Sequence, residues 1–134
     1  KLVYAYARAI VPKITVILRK SYGGAYIAMA SKHLDGDVNY AWPGAAIAVM
    51  AGTQAVNIIN RREIQAATDA DTERARLVAE YQQRLEHPYI AAGKGYIDDV
   101  IDPAETRTKI AHALEMLRTK SAPAWPKKHG NMPL

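Results

Sequence analysis

Two adjacent glycines at the junction of a predicted strand and a predicted helix constrain this chain more than any other feature. The run 14–18 is β-branched and apolar, as in a strand, and 25–33 is typical of a helix. The first N–H groups of a helix have no partner inside it, and glycine permits positive φ and close backbone approach. Gly23 and Gly24 therefore predict a turn that offers free amide donors to an anion or oxyanion. Paired glycines also close ordinary loops, so this pattern alone leaves a purely structural turn open.

Hydrophobic periodicity along the rest of the chain predicts a mixed α/β fold. The expected helices are 2–10, 25–33, 52–59, 69–87 and 103–119. The expected strands are 13–19, which we place in the middle of a sheet, 38–43, 46–50 and 97–101. The two long helices should bury stripes formed by Leu77, Val78, Tyr81 and Leu85 and by Ile110, Leu114 and Leu117. Capping residues, Thr68 and Asp69, precede the first long helix, and Asp102 is the expected N-cap of the second.

Composition excludes several function classes. With 134 residues, 49% hydrophobic and 23% charged, the chain is expected to form one globular domain. There are no cysteines, which excludes disulfides, thiolate metal sites and a cysteine nucleophile. Neither a membrane span nor a signal peptide is recognisable, so we expect no membrane association. A reducing compartment is favoured, and we expect the bacterial cytoplasm rather than the mitochondrial matrix.

Charged side chains give no clear catalytic group. The net charge is +5, but basic and acidic residues alternate without a basic stripe, so nucleic-acid binding is not expected, whereas anionic small molecules fit the charge. Asp35 and Asp37 lack further metal ligands at a usable spacing, and no metal is expected. Asp98 and Asp99 are adjacent and should diverge. His33 is assigned a polar role at a helix end rather than a catalytic one.

Six short motifs extend the pattern over the whole chain. They are RKSYGGAY (19–26), SKHL (31–34), YAWP (40–43), IAVM (47–50), DDVIDP followed by TR (98–103 and 106–107), and KHGNMPL (128–134). In this order they resemble the C-terminal part of the carboxyltransferase β subunit of biotin-dependent acyl-CoA carboxylases, the propionyl-CoA and acetyl-CoA type above all. Related decarboxylases and transcarboxylases are similar as well.

The resemblance implies a crotonase-like α/β fold, a spiral of β-β-α units. Residues 1–134 would be a partial C-terminal domain, a fragment whose N-terminal domain is absent. That expectation agrees with a first helix that has neither an initiating Met nor an N-cap ahead of Leu2. The missing domain would supply the oxyanion hole for the acyl-CoA, so the isolated chain is expected to be inactive.

The resemblance also implies a function in fatty acid metabolism. Such subunits transfer CO2 from carboxybiotin to the α-carbon of a short-chain acyl-CoA, with oxyanion holes for the enolates and no side-chain base. Gly24 and Ala25 match the amides that stabilise the biotin ureido oxyanion, while Gly23, Tyr26 and Ile27 match the substrate and biotin pocket. Propionyl-CoA enzymes commonly carry Asp where this chain has Ile27, so propionyl-CoA, acetyl-CoA or mixed use stays open, as do methylmalonyl-CoA decarboxylase and transcarboxylase activities.

Partners follow from the same resemblance. The implied cofactor is biotin on a carrier protein, the implied substrate is a CoA thioester, and no metal is implied in this fragment. A biotin carboxylase or biotin carrier subunit and a homo-oligomer of β subunits, expected to be a hexamer, are the implied partners. The alternative is a non-catalytic piece, in which the helices 69–87 and 103–119 and the basic tail carry assembly contacts and the glycine turn only closes a fold.

Overall fold

Two short parallel sheets organise residues 1–121, the part of the chain that the computed structural model describes. The first sheet has the strand order β1 (Ile14–Ile17), β3 (Val38–Ala41), β5 (Asp99–Val100). The second sheet pairs β2 (Lys20–Tyr22) with β4 (Ala46–Ala48). Because parallel strands need crossover connections, the helices must return the chain between neighbouring strands.

Seven α-helices accompany the strands in the described part of the chain. They are α1 (Leu2–Arg8), α2 (Gly23–Ala28), α3 (Gly52–Ile59), α4 (Arg61–Ala66), α5 (Ala70–Tyr81), α6 (Pro88–Gly93) and α7 (Thr106–Met116). Helix α5 continues as a π-helical turn, Gln82–Glu86, and a 3-10 turn, Pro103–Glu105, precedes α7. The order strand, strand, helix occurs twice, as β1-β2-α2 and β3-β4-α3.

Both predicted acidic caps are confirmed. The Asp69 carboxylate accepts hydrogen bonds from the amides of Asp71 and Thr72 at the start of α5. The Asp102 carboxylate accepts the amide of Ala104 at 2.7 Å. Each cap satisfies amides that the first helical turn leaves without a partner.

The core forms two clusters. One lies along the sheets and comprises Ile17, Ala41, Ala45, Ile47, Ala91 and Ile97. The other joins α3, α4 and α5 through Val56, Ile64 and Leu77. Small alanines at the sheet cluster allow α6 to lie close to β4, which brings α6 and the end of α5 to the same side of the glycine turn.

Two predicted elements, the strand 13–19 and the helix 25–33, do not form as predicted. The predicted strand 13–19 divides into β1 and β2, and β1 lies at the edge of its sheet within residues 1–121, not in the middle. The predicted helix 25–33 ends at Ala28, because Ala30 adopts a left-handed φ of 56° that no right-handed helix contains. A 3-10 turn, Lys32–Leu34, follows.

Two predicted buried positions are also wrong. Leu77 is buried as predicted, but Leu85 is 50% exposed, and Glu86 takes the inward position. A π turn contains one residue more than an α-helical turn. The side chain that follows Tyr81 on the same face of the helix is therefore that of Glu86, five positions along the chain, rather than that of Leu85, four positions along. In α7 the buried side chain is Ala113, while Leu114 is 50% exposed.

The basic tail and its motif at 128–134 lie outside the described residues. Within residues 1–121, no helix combines the length and the apolar character that crossing a membrane requires.

Candidate functional site

The turn between β2 and α2 depends on Gly23 rather than on both glycines. Gly23 has a φ of 57°, and a Cβ there would lie 3.0 Å from the carbonyl oxygen of Val49. Only glycine takes up this conformation without strain. Gly24 has no positive φ, and a Cβ there would meet no atom within 4 Å. The first glycine therefore makes the turn, and the second leaves open space in front of it.

The amides that follow this turn are free to bind a ligand. In the described part of the chain, no hydrogen bond reaches the backbone N–H of Gly24 or of Ala25, and no side chain caps the helix. The helix itself is regular at this point, since the amide of Met29 donates to the carbonyl of Ala25 at 3.2 Å. Gly24 and Ala25 are both exposed. Two donors thus stand unpaired at the surface, as the strand-to-helix pattern predicted.

A cavity of about 560 Å³ opens beside the turn. Four of the five predicted site residues line it, namely Gly23, Gly24, Tyr26 and Ile27. Ala25 is not among the lining residues, although its amide follows directly on that of Gly24. Further walls come from β4, the end of α5, the following π turn and α6. The cavity therefore lies where the two sheets and the helical cluster meet.

Aromatic rings form one side of the cavity. The His33 ring lies edge-on to Tyr26, with centroids 5.8 Å apart, and 4.9 Å from the ring of Tyr96. The Tyr26 hydroxyl donates to the carbonyl of Tyr96 at 3.3 Å. Burial, with a smaller contribution from Tyr96, raises the pKa of Tyr26, so its hydroxyl stays protonated near neutral pH. His33 was predicted at a helix end; it lies instead in the 3-10 turn and lines the cavity.

A buried carboxylate supports the opposite side. Glu86 is 4% exposed and accepts the amide of Gly52 on one oxygen and the Tyr22 hydroxyl, at 2.8 Å, on the other. Burial, and then the hydrogen bond and charge of Glu86, raise the pKa of Tyr22 to about 12. The sequence did not point to Glu86, because a glutamate in a charged helix is usually solvent-exposed.

The other acidic side chains hold structure together. Asp98 pairs with Lys32 at 2.9 Å, whereas Asp99 pairs with Lys109 at 2.8 Å, so the two adjacent carboxylates diverge as predicted. Asp37 accepts the amide of Lys13. Among the described residues, no three His, Asp or Glu side chains are grouped so that they could hold a metal ion.

The chemistry available to this cavity is electrostatic. Its described lining contains no carboxylate, and its titratable side chains are Tyr26, His33, Tyr81, Lys94 and Tyr96. The walls are mostly apolar, so a ligand that fills the cavity displaces water and strengthens the hydrogen bonds that the free amides donate to it. The arrangement suits a ligand with an apolar ring system and an oxygen that gains negative charge.

Comparison with known proteins identifies a family. Residues 1–132 match the family described as carboxyl transferase domain. The chain is 56% identical over 133 residues to the methylmalonyl-CoA carboxyltransferase 12S subunit of Propionibacterium freudenreichii subsp. shermanii. This alignment covers 99% of this chain and 25% of that protein. It is 54% identical over 134 residues to the propionyl-CoA carboxylase carboxyltransferase subunit of Haloferax mediterranei, covering 100% of this chain and 26% of that protein.

A solved structure agrees. The crystal structure of transcarboxylase 12S, described as a hexamer with methylmalonyl-CoA and methylmalonic acid bound, superposes with a TM-score of 0.91 at 56% identity, covering 99% of this chain and 26% of that one. The chain thus spans about a quarter of the length of the curated relatives it matches.

Proposed function

The chain belongs to the carboxyl transferase domain family, and from this premise we propose that it carries the biotin-side oxyanion site of an acyl-CoA carboxyltransferase. Its fold is the crotonase-like α/β fold that the resemblance implied, with two β-β-α units in the described residues. The observation that carries the proposal is the pair of unpartnered amides, Gly24 and Ala25, beside an apolar cavity.

The residues present fit a biotin ring. The open space at the Gly24 Cβ position allows a planar ureido group to approach the amides, and the apolar lining suits the saturated thioether ring that is fused to it. When bound on its carrier protein, carboxybiotin supplies the CO2 and a ureido group. The N–H groups of Gly24 and Ala25 donate to the ureido oxygen as negative charge develops there. Tyr26 and Ile27 form the adjoining wall and keep water away from that oxygen.

The proposed substrate is a short-chain acyl-CoA, propionyl-CoA or acetyl-CoA. Ile27 lines the cavity and leaves 41% of its surface exposed there, so this wall offers an apolar surface to a small acyl group. The similarity to a methylmalonyl-CoA carboxyltransferase favours a second candidate, transfer of the carboxyl group between CoA thioesters, at the same site. The proposed partners are a biotin carrier and further copies of the subunit, and the hexamer of transcarboxylase 12S supports a hexamer.

One substitution isolates the proposed donor. Ala25→Pro removes the N–H of Ala25 without removing an intrahelical hydrogen bond, because that amide lies in the first turn of α2. Ala25→Val is the matched control, since it adds similar bulk and keeps the N–H. We expect Ala25→Pro in the complete subunit to lower kcat/KM for free biotin by about 10²-fold or more, in carboxyl transfer from methylmalonyl-CoA. Equal losses in the two variants would contradict the proposal.

A second variant separates catalysis from assembly. A Val side chain at position 24 projects into open space, so Gly24→Val should fold and assemble while it blocks the approach to the amides. We expect turnover to be lost and the sedimentation coefficient of the complete subunit to be unchanged. Loss of assembly without a specific loss of turnover would support the non-catalytic alternative instead.

A further inference from the structure

The Glu86 carboxylate lies behind the cavity wall and joins two parts of the chain next to the glycine turn. Its oxygens accept the Tyr22 hydroxyl and the Gly52 amide. Tyr22 is the last residue of β2 and directly precedes Gly23, the residue with positive φ. Gly52 opens α3, three residues after Val49, whose carbonyl oxygen lies against Gly23. One hydrogen bond therefore ends directly beside the turn, and the other ends three residues after Val49, which lies against the turn.

The local backbone is shaped so that Glu86 reaches this position. The π-helical turn, Gln82–Glu86, rotates Glu86 inward, while Tyr81 just before the turn and Leu85 within it line the cavity. A Cβ at Gly52 would lie 3.1 Å from side-chain atoms of both Glu86 and Tyr81, so a larger residue there would displace these side chains by a few tenths of an ångström. A π turn is rare and is often found at functional sites.

We propose that Glu86 is a positioning residue that holds the glycine turn at a fixed distance from the helical wall of the cavity, acting through the Tyr22 hydroxyl and the Gly52 amide. This inference rests on the proposed function of the turn. The Glu86 carboxylate does not line the cavity, so it has no direct contact with a ligand bound there. It fixes the end of β2 and the start of α3 relative to the π turn, and thereby the direction in which the amides of Gly24 and Ala25 point.

Rigidity is the physical reason for such a support. An oxyanion site accelerates a reaction only when its donors already point at the oxygen in the transition state, because reorientation at that moment costs free energy. Tyr22 keeps its proton and donates at 2.8 Å to a buried charged acceptor, which is a strong type of hydrogen bond. Removing one such bond should loosen the turn without removing a contact to the substrate.

The experiment compares conservative variants of the complete subunit, with free biotin as the carboxyl acceptor. Tyr22→Phe removes one hydrogen bond, and Glu86→Gln keeps an acceptor for Tyr22 but brings a second donor near the Gly52 amide. Glu80→Gln is the matched control, because Glu80 lies on the same helix in exposed pairs with Arg76 and Arg84. The readouts are kcat/KM for free biotin, KM for methylmalonyl-CoA, and hydrogen–deuterium exchange of the peptide that contains residues 26–29, where the Met29 amide donates to the carbonyl of Ala25.

We expect Tyr22→Phe and Glu86→Gln to lower kcat/KM for biotin about tenfold, the loss that one hydrogen bond of about 1.4 kcal/mol represents. KM for methylmalonyl-CoA should stay within about twofold, and exchange of the hydrogen-bonded amides in 26–29 should rise about tenfold while the melting temperature changes little. Glu80→Gln should change none of these quantities.

The outcomes that overturn the inference are distinct from those that overturn the proposed function. If Ala25→Pro impairs transfer but Tyr22→Phe and Glu86→Gln behave as Glu80→Gln does, the positioning role is wrong and the oxyanion site stands. If the variants raise KM for methylmalonyl-CoA as much as they lower kcat/KM for biotin, Glu86 has only a general structural role. If Ala25→Pro has no effect beyond that of Ala25→Val, the site itself is wrong, and the inference fails with it.

Discussion

At the scale of single residues, the two glycines of the turn have different roles, and stability measurements separate them. Gly23→Ala places a Cβ at a φ of 57° and 3.0 Å from the Val49 carbonyl oxygen, so we expect a loss of about 1 to 3 kcal/mol. Gly24→Ala meets no atom within 4 Å and should be neutral or stabilising by up to about 1 kcal/mol. Urea unfolding of the two variants measures the difference. Equal urea midpoints for the two variants would show that position 23 does not require glycine.

Asp37 is the residue for which pH dependence is expected. Its carboxylate accepts the Lys120 ammonium and the Lys13 amide, both at 2.7 Å, and so joins the end of α7 to the start of β1. Burial alone would raise the pKa of Asp37, but the hydrogen bonds and charges of Lys120 and Lys13 outweigh it and hold the pKa below its usual 3.8.

The sign of the pH effect follows from this lowered pKa. A carboxyl whose pKa is lower in the folded state contributes stability that is complete above its unfolded pKa and is lost as pH falls through the folded value. Asp37→Asn should therefore lower the free energy of unfolding by about 1 to 3 kcal/mol at pH 7. The difference between wild type and variant should shrink as pH falls below 3.8. Urea titrations at pH 7, 4 and 3 test this, and a gap that is constant with pH would contradict it.

At the scale of secondary-structure elements, the change from α-helix to π turn decides which leucine of this helix belongs to the core. Leu77 is buried against Val56 and Ile64, so Leu77→Ala should cost about 2 to 4 kcal/mol of unfolding free energy. Leu85→Ala removes a half-exposed side chain and should cost less than about 1 kcal/mol. Denaturant unfolding of both variants checks this. Similar losses of unfolding free energy in the two variants would show that Leu85 is packed in the core as Leu77 is, and would contradict this assignment.

The sequence predicted those elements whose signals are local. Asp69 and Asp102 are side-chain caps that act within three residues, and the motif around Gly23 combines a β-branched run with a turn residue. These features were found because the partner groups lie nearby in the chain. The left-handed Ala30, which ends α2 early, has no such signature, since alanine is otherwise a good helix former.

The support behind the turn was not predictable because its partners are distant. Tyr22 and Glu86 are 64 positions apart, and only the tertiary fold brings them together. The helical period placed Leu85 inside, and a one-residue π insertion is invisible to a period of 3.6. His33 was likewise assigned from its place near a helix end, whereas the fold places its ring edge-on to Tyr26 and tilted against Tyr96. The strand-to-helix pattern predicted free amide donors at this turn, whereas the role of Gly24 and Ala25 toward biotin came from family resemblance.

At the scale of the whole molecule, residues 1–121 leave apolar surface that a larger protein is expected to cover. Helix α1 buries none of its residues, and Leu2 and Val3 are 58% and 50% exposed. Leu114 and Met116 on α7 are 50% and 66% exposed. We expect the isolated chain to show no carboxylation of propionyl-CoA above background, because the proposed reaction needs a second oxyanion site for the acyl-CoA in addition to the one proposed at Gly24 and Ala25.

A radiolabel assay with carboxybiotin as donor checks this expectation, with the complete subunit as the positive control. Carboxylated product from the 134 residues alone would show that a single site suffices.

A crystal structure of the complete subunit with biotin bound tests most directly whether the amides of Gly24 and Ala25 bind the ureido oxygen. The account predicts that the ureido oxygen lies about 2.7 to 3.2 Å from the backbone nitrogens of Gly24 and Ala25, with the ring inside the cavity beside Tyr26 and Ile27. A biotin ring in this cavity whose ureido oxygen points away from both amides, or a ring bound elsewhere, would contradict it.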